Sequence, residues 1–107
     1  MRRVYVAGPM TGLQDLNFPA FHAAALALRA RGFEVINPAE INVDPKTSWA
    51  ACMRQDIAQL VTCDAVVVLP RWEASKGASL EVYIAERLGM SRLTIKLALT
   101  LMVAAAE

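Results

Sequence analysis

The chain has 107 residues, 56% of them hydrophobic and 20% charged, and its 11 basic and 10 acidic side chains leave a net charge of +1. That length suits one domain, residues 1–107, with a single core and no room for a second. Arginines scattered among acids exclude the clustered basic excess of a nucleic-acid binder, and the two cysteines, Cys52 and Cys63, supply neither a disulfide framework nor a metal-ligand spacing.

The opening MRRVYVAG carries only a short apolar run before Gly8-Pro9, which does not read as a signal peptide. Val4 to Ala7 is a β-rich run consistent with a buried first strand. The loop GPMTGLQDLN follows. Asn17 is placed to cap a helix from about Phe18 to Arg31, with Pro19 in its first turn and Gly32 just past its end. Phe33 to Ile36 reads as a second strand, stopped by Asn37-Pro38. A polar loop leads to Ser48, a cap for a helix from about Trp49 to Thr62. Asp64 to Leu69 is the clearest strand, and Ala78 to Leu88 a third helix ending at Gly89.

Leu93, Ile95, Leu97, Leu99 and Leu101 alternate with Thr94, Lys96, Ala98 and Thr100, the period-two pattern of a fourth strand. MVAAAE at the end is expected to turn helical or fray. The order βαβαβαβ implies parallel strands with right-handed crossovers and helices on both faces. Leu97 to Ala106 is about half a membrane span, so no membrane partner is expected. Free thiols suit the cytoplasm. An apolar excess in so short a chain points to a homodimer or larger homo-oligomer.

Most of the chemistry is expected where strand ends meet helix starts, since open α/β sheets bind ligands there. Residues 64–81 run from a strand through a polar loop with Ser75 and Gly77 to Glu81. There the helix dipole would keep Glu81 anionic, as suits a nucleophile. Ser75, Lys76 and Gly77, just before the helix that Ala78 begins, could with free N–H groups hold a phosphate, and Ala78 is a further candidate for binding substrate. Asp56 falls on the apolar stripe of Trp49, Met53, Ile57 and Leu60. A carboxylate there must be paired, hydrogen-bonded or facing a wet cleft, as a structural acid or a catalytic one. Gly8, Pro9, Met10, Thr11 and Gly12 form the first loop on the same sheet edge, without GxGxxG or P-loop spacing. Tyr5 lies inside the first strand and needs a buried partner for its hydroxyl, which Asp56 or Glu81 could provide. Asp64 suits turn chemistry, and His22, the only histidine, reads as a surface residue. No metal site is expected.

Five motifs occur in order: YVAGPMTG, NFPAF, G-F-x-V-x-NPAE, W-x-x-x-MRQDI-x-x-L-x-x-CDAVVVLP, and W-E-x-S-x-GASLE-x-x-x-A-x-x-LGM. Across residues 3–90 they resemble small proteins of the nucleoside 2-deoxyribosyltransferase-like superfamily, which includes the deoxynucleoside 5′-monophosphate N-glycosidases. The resemblance implies a flavodoxin-like (Rossmann-like) three-layer α/β sandwich with a four- to five-stranded parallel sheet. It implies Glu81 as the nucleophile at the anomeric carbon and Asp56 as the aspartate assisting at base or sugar. By the same resemblance Tyr5 orients the nucleophile and Ser75 matches a serine binding the 5′-phosphate in the glycosidase branch. Pro9 and Thr11 depart from the serine and arginine that the glycosidases carry there, and residues 91–107 match no motif. The implied activity is hydrolysis or transfer at the N-glycosidic bond of a nucleoside or nucleoside 5′-monophosphate, with a small-molecule partner and no cofactor. The alternatives are a non-catalytic nucleotide or nucleotide-sugar binding module, or an assembly subunit.

Overall fold

A computed structural model describes residues 2–101. Four parallel strands form one sheet in the order β2-β1-β3-β4, with β1 Arg3–Ala7, β2 Glu34–Ile36, β3 Ala65–Val68 and β4 Ser91–Thr94. The registers Val4↔Ala65 and Tyr5↔Val66 put β1 beside β3 at the centre. The helices are α1 Phe18–Ala30, α2 Pro38–Ile41, α3 Trp49–Leu60, α4 Lys76–Arg87 and α5 Ile95–Ala98.

Successive side chains on a strand face opposite ways, and the two cores divide accordingly. Val4, Val6, Ala65 and Val67 pack with Phe21, Ala24, Ala25 and Leu28 of α1 and with Ala98 of α5. Tyr5, Ala7, Val66 and Val68 pack with Leu60 of α3 and with Ala78, Val82 and Ala85 of α4. The result is the expected three-layer α/β sandwich. Both central strands are buried on both faces, which is why they read as unbroken apolar runs. The chain turns away from β1 toward α1 on one face and away from β3 toward α4 on the other. Their adjacent carboxyl ends therefore open a crevice.

Several local expectations need correcting. The alternation from Leu93 to Leu101 is not one strand: β4 stops at Thr94, whose hydroxyl accepts from Leu97 N at 3.1 Å and caps α5. Helical winding turns Ala98 fully inward while Leu97 stays half exposed. The expectation for MVAAAE lies outside the described residues. Asn17 does not cap α1. It lies in a left-handed run, Asp15, Leu16 and Asn17, with φ of 52°, 53° and 59°, and its Nδ2 donates to Pro9 O at 3.0 Å. Asn37-Pro38 ends β2 and also starts a helix, because the Asn37 side chain accepts from Ala39 N at 3.0 Å.

Gly8 closes β1 where no side chain fits. A Cβ there would lie 2.8 Å from Leu69 Cβ and 2.9 Å from its Cδ1, and a Cβ so near its own backbone cannot swing clear. Gly8→Ala is expected to destabilise the fold by roughly 1–3 kcal/mol, read as a lower urea midpoint at unchanged slope.

Candidate active site

The crevice is a cleft of about 690 Å³, within the usual range of small-molecule sites. Gly8 to Thr11 of the first loop form one wall and residues 42–47 a second. The start of α4 with Arg71 forms a third, and Met53 and Asp56 of α3 and Glu81 of α4 line it from the helices. Ser48 and Ser75 cap α3 and α4 through Ala51 N at 3.1 Å and Ala78 N at 3.2 Å. Those caps fix which faces the two helices turn inward.

Asp56 and Glu81 are the buried acids of this cleft, 5% and 4% exposed. Tyr5, fully buried beneath them, donates its hydroxyl to Glu81 Oε2 at 2.5 Å. Asp56 Oδ1 accepts from Asn42 Nδ2 at 2.7 Å. Thus the proposed nucleophile, its tyrosine and the second acid meet in one place. Gly8, Pro9, Met10, Thr11, Ser75, Gly77 and Ala78 line the same cleft. Gly12 is not among the lining residues; its φ of 81° serves the turn beyond.

Burial sets the electrostatics. Loss of water pushes the Glu81 carboxyl up to about 8; the neighbouring Asp56 adds to this, while the Tyr5 hydrogen bond partly offsets it. Burial lifts Asp56 to about 6 against the lowering effect of Asn42. Tyr5 rises well above its ordinary value, first by burial and then by the two acids. This corrects the expectation of an anionic Glu81. α4 begins at Lys76 rather than Ala78, so Glu81 falls in the second turn, where the helix dipole has faded and desolvation decides. Ser75 Oγ accepts from Ala78 N in the α4 cap, which leaves its O–H free to donate into the cleft it lines.

Several lining residues escaped the sequence reading. Asn42 and Arg71 face the cleft; Lys76, already expected beside Ser75, lines it too, its Nζ 4.5 Å from the Trp49 ring centroid. Asn42 had no distinguishing signal beside other loop polars. Arg71 was signalled only by its place after a strand-ending proline. Asp64 accepts from the Arg2 and Arg3 backbone N–H groups, each at 2.9 Å, at the opposite sheet edge. His22 is exposed on α1, near Asn37 Nδ2 at 3.2 Å. Among the described residues no cluster of three metal-ligating side chains occurs, and no helix is long and apolar enough to cross a membrane.

The fold, a four-stranded all-parallel sheet flanked by helices, is shared with two solved 2-deoxyribosyltransferases. The 2-deoxyribosyltransferase of the psychrotolerant bacterium Bacillus psychrosaccharolyticus superposes with a TM-score of 0.69 at 17% identity, over 86% of this chain and 70% of that one. A 2-deoxyribosyltransferase from Leishmania mexicana gives 0.66 at 22% identity, over 88% and 63%. The chain thus spans less than two thirds of the Leishmania enzyme's length. No curated protein matches it by sequence. Residues 2–94 match the domain of unknown function DUF4406, and the chain belongs to that family.

Proposed function

We propose that the protein cleaves or exchanges the N-glycosidic bond of a nucleoside or nucleoside 5′-monophosphate. The observation that carries this reading is the buried Tyr5–Glu81 hydrogen bond at 2.5 Å in a cleft that Asp56 also lines. The ionised Glu81 oxygen bonds to the anomeric carbon as the C–N bond breaks. Its electron pair leaves on the base, which takes a proton from Asp56. Water then opens the glycosyl ester to give hydrolysis, or a second base opens it to give transfer. Tyr5 holds the nucleophile through its hydroxyl, and Met10, Met53 and Trp49 supply apolar surface for a planar base. The sequence of steps parallels retaining glycoside hydrolysis, with one carboxyl as nucleophile and a second handling the proton.

A time course with deoxynucleosides and their 5′-monophosphates, followed for free base, tests the proposal. The native chain is expected to release base and Glu81→Ala to lose about a thousandfold or more. No release by the native chain, or undiminished release by Glu81→Ala, refutes it. A binding module without turnover is the second reading, favoured by a Glu81 that stays protonated until pH reaches about 8. It requires ligand-dependent thermal stabilisation without product.

A further inference from the structure

Asn42 stands at the start of the 42–47 wall of the cleft, just past α2. Its Nδ2 donates to Asp56 Oδ1 at 2.7 Å, the only hydrogen bond the Asp56 side chain makes among the described residues. The other end of the same amide is also buried. Asn42 Oδ1 accepts from no group among the described residues, one of two buried side-chain atoms without a partner there; the other, Arg3 Nε, lies at the amino end of β1, away from the cleft lining. Folded proteins seldom leave a buried acceptor idle, so each instance needs a reason.

We propose that Asn42 is a positioning residue that holds the Asp56 side chain in one place in both protonation states by turning its amide end for end. A primary amide carries two N–H donors on one side and an acceptor on the other. Against an ionised Asp56 the Nδ2 end donates and Oδ1 waits. Against a protonated Asp56 the carboxyl O–H needs an acceptor, and half a turn of the amide brings Oδ1 to it. The idle oxygen is the partner of the second state. The assignment of a proton-giving role to Asp56 rests on the glycosyl-transfer reading; the amide geometry does not. When Asp56 passes its proton to the leaving base, its O–H bond breaks and an N–H bond forms on the base. The C–N electron pair goes to the base, and the glycosyl carbon bonds to Glu81. The amide then turns back, and its Nδ2 end meets the new Asp56 carboxylate, which keeps its place.

The groups around Asp56 permit this. Tyr5 faces it from β1, Glu81 from α4 and Cys52 from one turn earlier on α3. Asp44, Arg71 and Lys76 line the same cleft. Asp56 titrates near 6, while Glu81, near 8, is still neutral. The amide therefore answers to a single ionisation.

The test reads both partners directly and needs no turnover. In the native protein the ¹³C carboxyl resonance of Asp56 and the side-chain ¹⁵N–¹H₂ resonances of Asn42 are followed from pH 4 to pH 9. They are expected to move together with one midpoint near 6. Asn42→Ala removes the donor and should raise the Asp56 midpoint by about one unit, and Asn42→Asp, a second carboxyl, by about two. Asn42→Ser, which keeps a donor and an acceptor in one hydroxyl, should bring it back toward the native value. Amide resonances that stay still through the Asp56 midpoint overturn the proposal, as does a midpoint unchanged in Asn42→Ala. A chain that releases no base yet shows the shared titration loses the glycosyl-transfer reading and keeps this one. Base release with a static amide does the reverse.

Discussion

Glu81→Gln is expected to unfold about 10 °C above the native chain at pH 9 and within about 2 °C of it at pH 4.5. Glu81 is 4% exposed, and burial lifts its carboxyl from an ordinary 4.5 to about 8. The folded state therefore holds a proton that the unfolded chain has already released between these values. Stability falls as pH rises through that window, because the unfolded state binds fewer protons there. Below it both states are protonated, and the buried neutral acid costs little. Above it the fold carries a buried anion steadied mainly by the Tyr5 hydroxyl. Gln keeps the shape and an oxygen for Tyr5 but never ionises, which removes a penalty on the order of 3 kcal/mol at high pH. Melting curves followed by circular dichroism across the range give the result. An offset between the two proteins that does not change with pH would show that Glu81 ionises as easily in the fold as in water. On the proposed chemistry the same variant also loses its nucleophile, so a stabler protein without turnover is the joint expectation; such trade-offs are common where an active site stores an unfavourable charge.

The second large effect is a bell-shaped pH dependence of kcat/KM for base release, with limbs near 6 and 8. Asp56 and Glu81 titrate near those values. Because each feels the other, the two limbs belong to the pair. The proposed chemistry needs one proton on the pair and runs through its minority arrangement, with Glu81 ionised to attack and Asp56 protonated to give, since the proton rests mainly on Glu81. Below 6 the pair holds two protons and the nucleophile is blocked; above 8 it holds none and the leaving base goes unassisted. Asp56→Asn is expected to cut the rate by about 10²–10⁴-fold and to abolish the alkaline limb, since ionisation of Glu81 alone then governs activity. A bell surviving unchanged in Asp56→Asn would remove Asp56 from the proton step.

Most of the fold was legible because its elements obey simple periodicities. Val4–Ala7 and the run of valines in β3 could only be strands buried on both faces, and Ser48 announced α3 correctly. The stretch from Leu93 to Leu101 misled because a leucine at every second position satisfies a strand of any length. The stop lay in Thr94, a residue equally at home in a strand and at a helix cap. The meeting of Tyr5, Asp56 and Glu81 was foreshadowed by the apolar stripe around Asp56 and by motif resemblance. The protonation of Glu81 was not. It depends on two extra residues at the start of α4 and on the burial of the carboxyl, a matter of depth that no local pattern encodes. Asn42 was missed for a similar reason: only the folded loop brings it to Asp56.

The strand order leads the chain out of β1 and β3 in opposite directions, so the cleft draws its lining from two kinds of segment. Tyr5, Asp56 and Glu81 ride on regular elements anchored in the cores. Pro9 to Thr11, residues 42–47 and Arg71 ride on connections, the parts of a fold that tolerate replacement best. Variants of this scaffold can exchange those connections without disturbing Tyr5, Asp56 and Glu81, so a library confined to the three connections would, on the proposed chemistry, diversify selectivity and spare turnover.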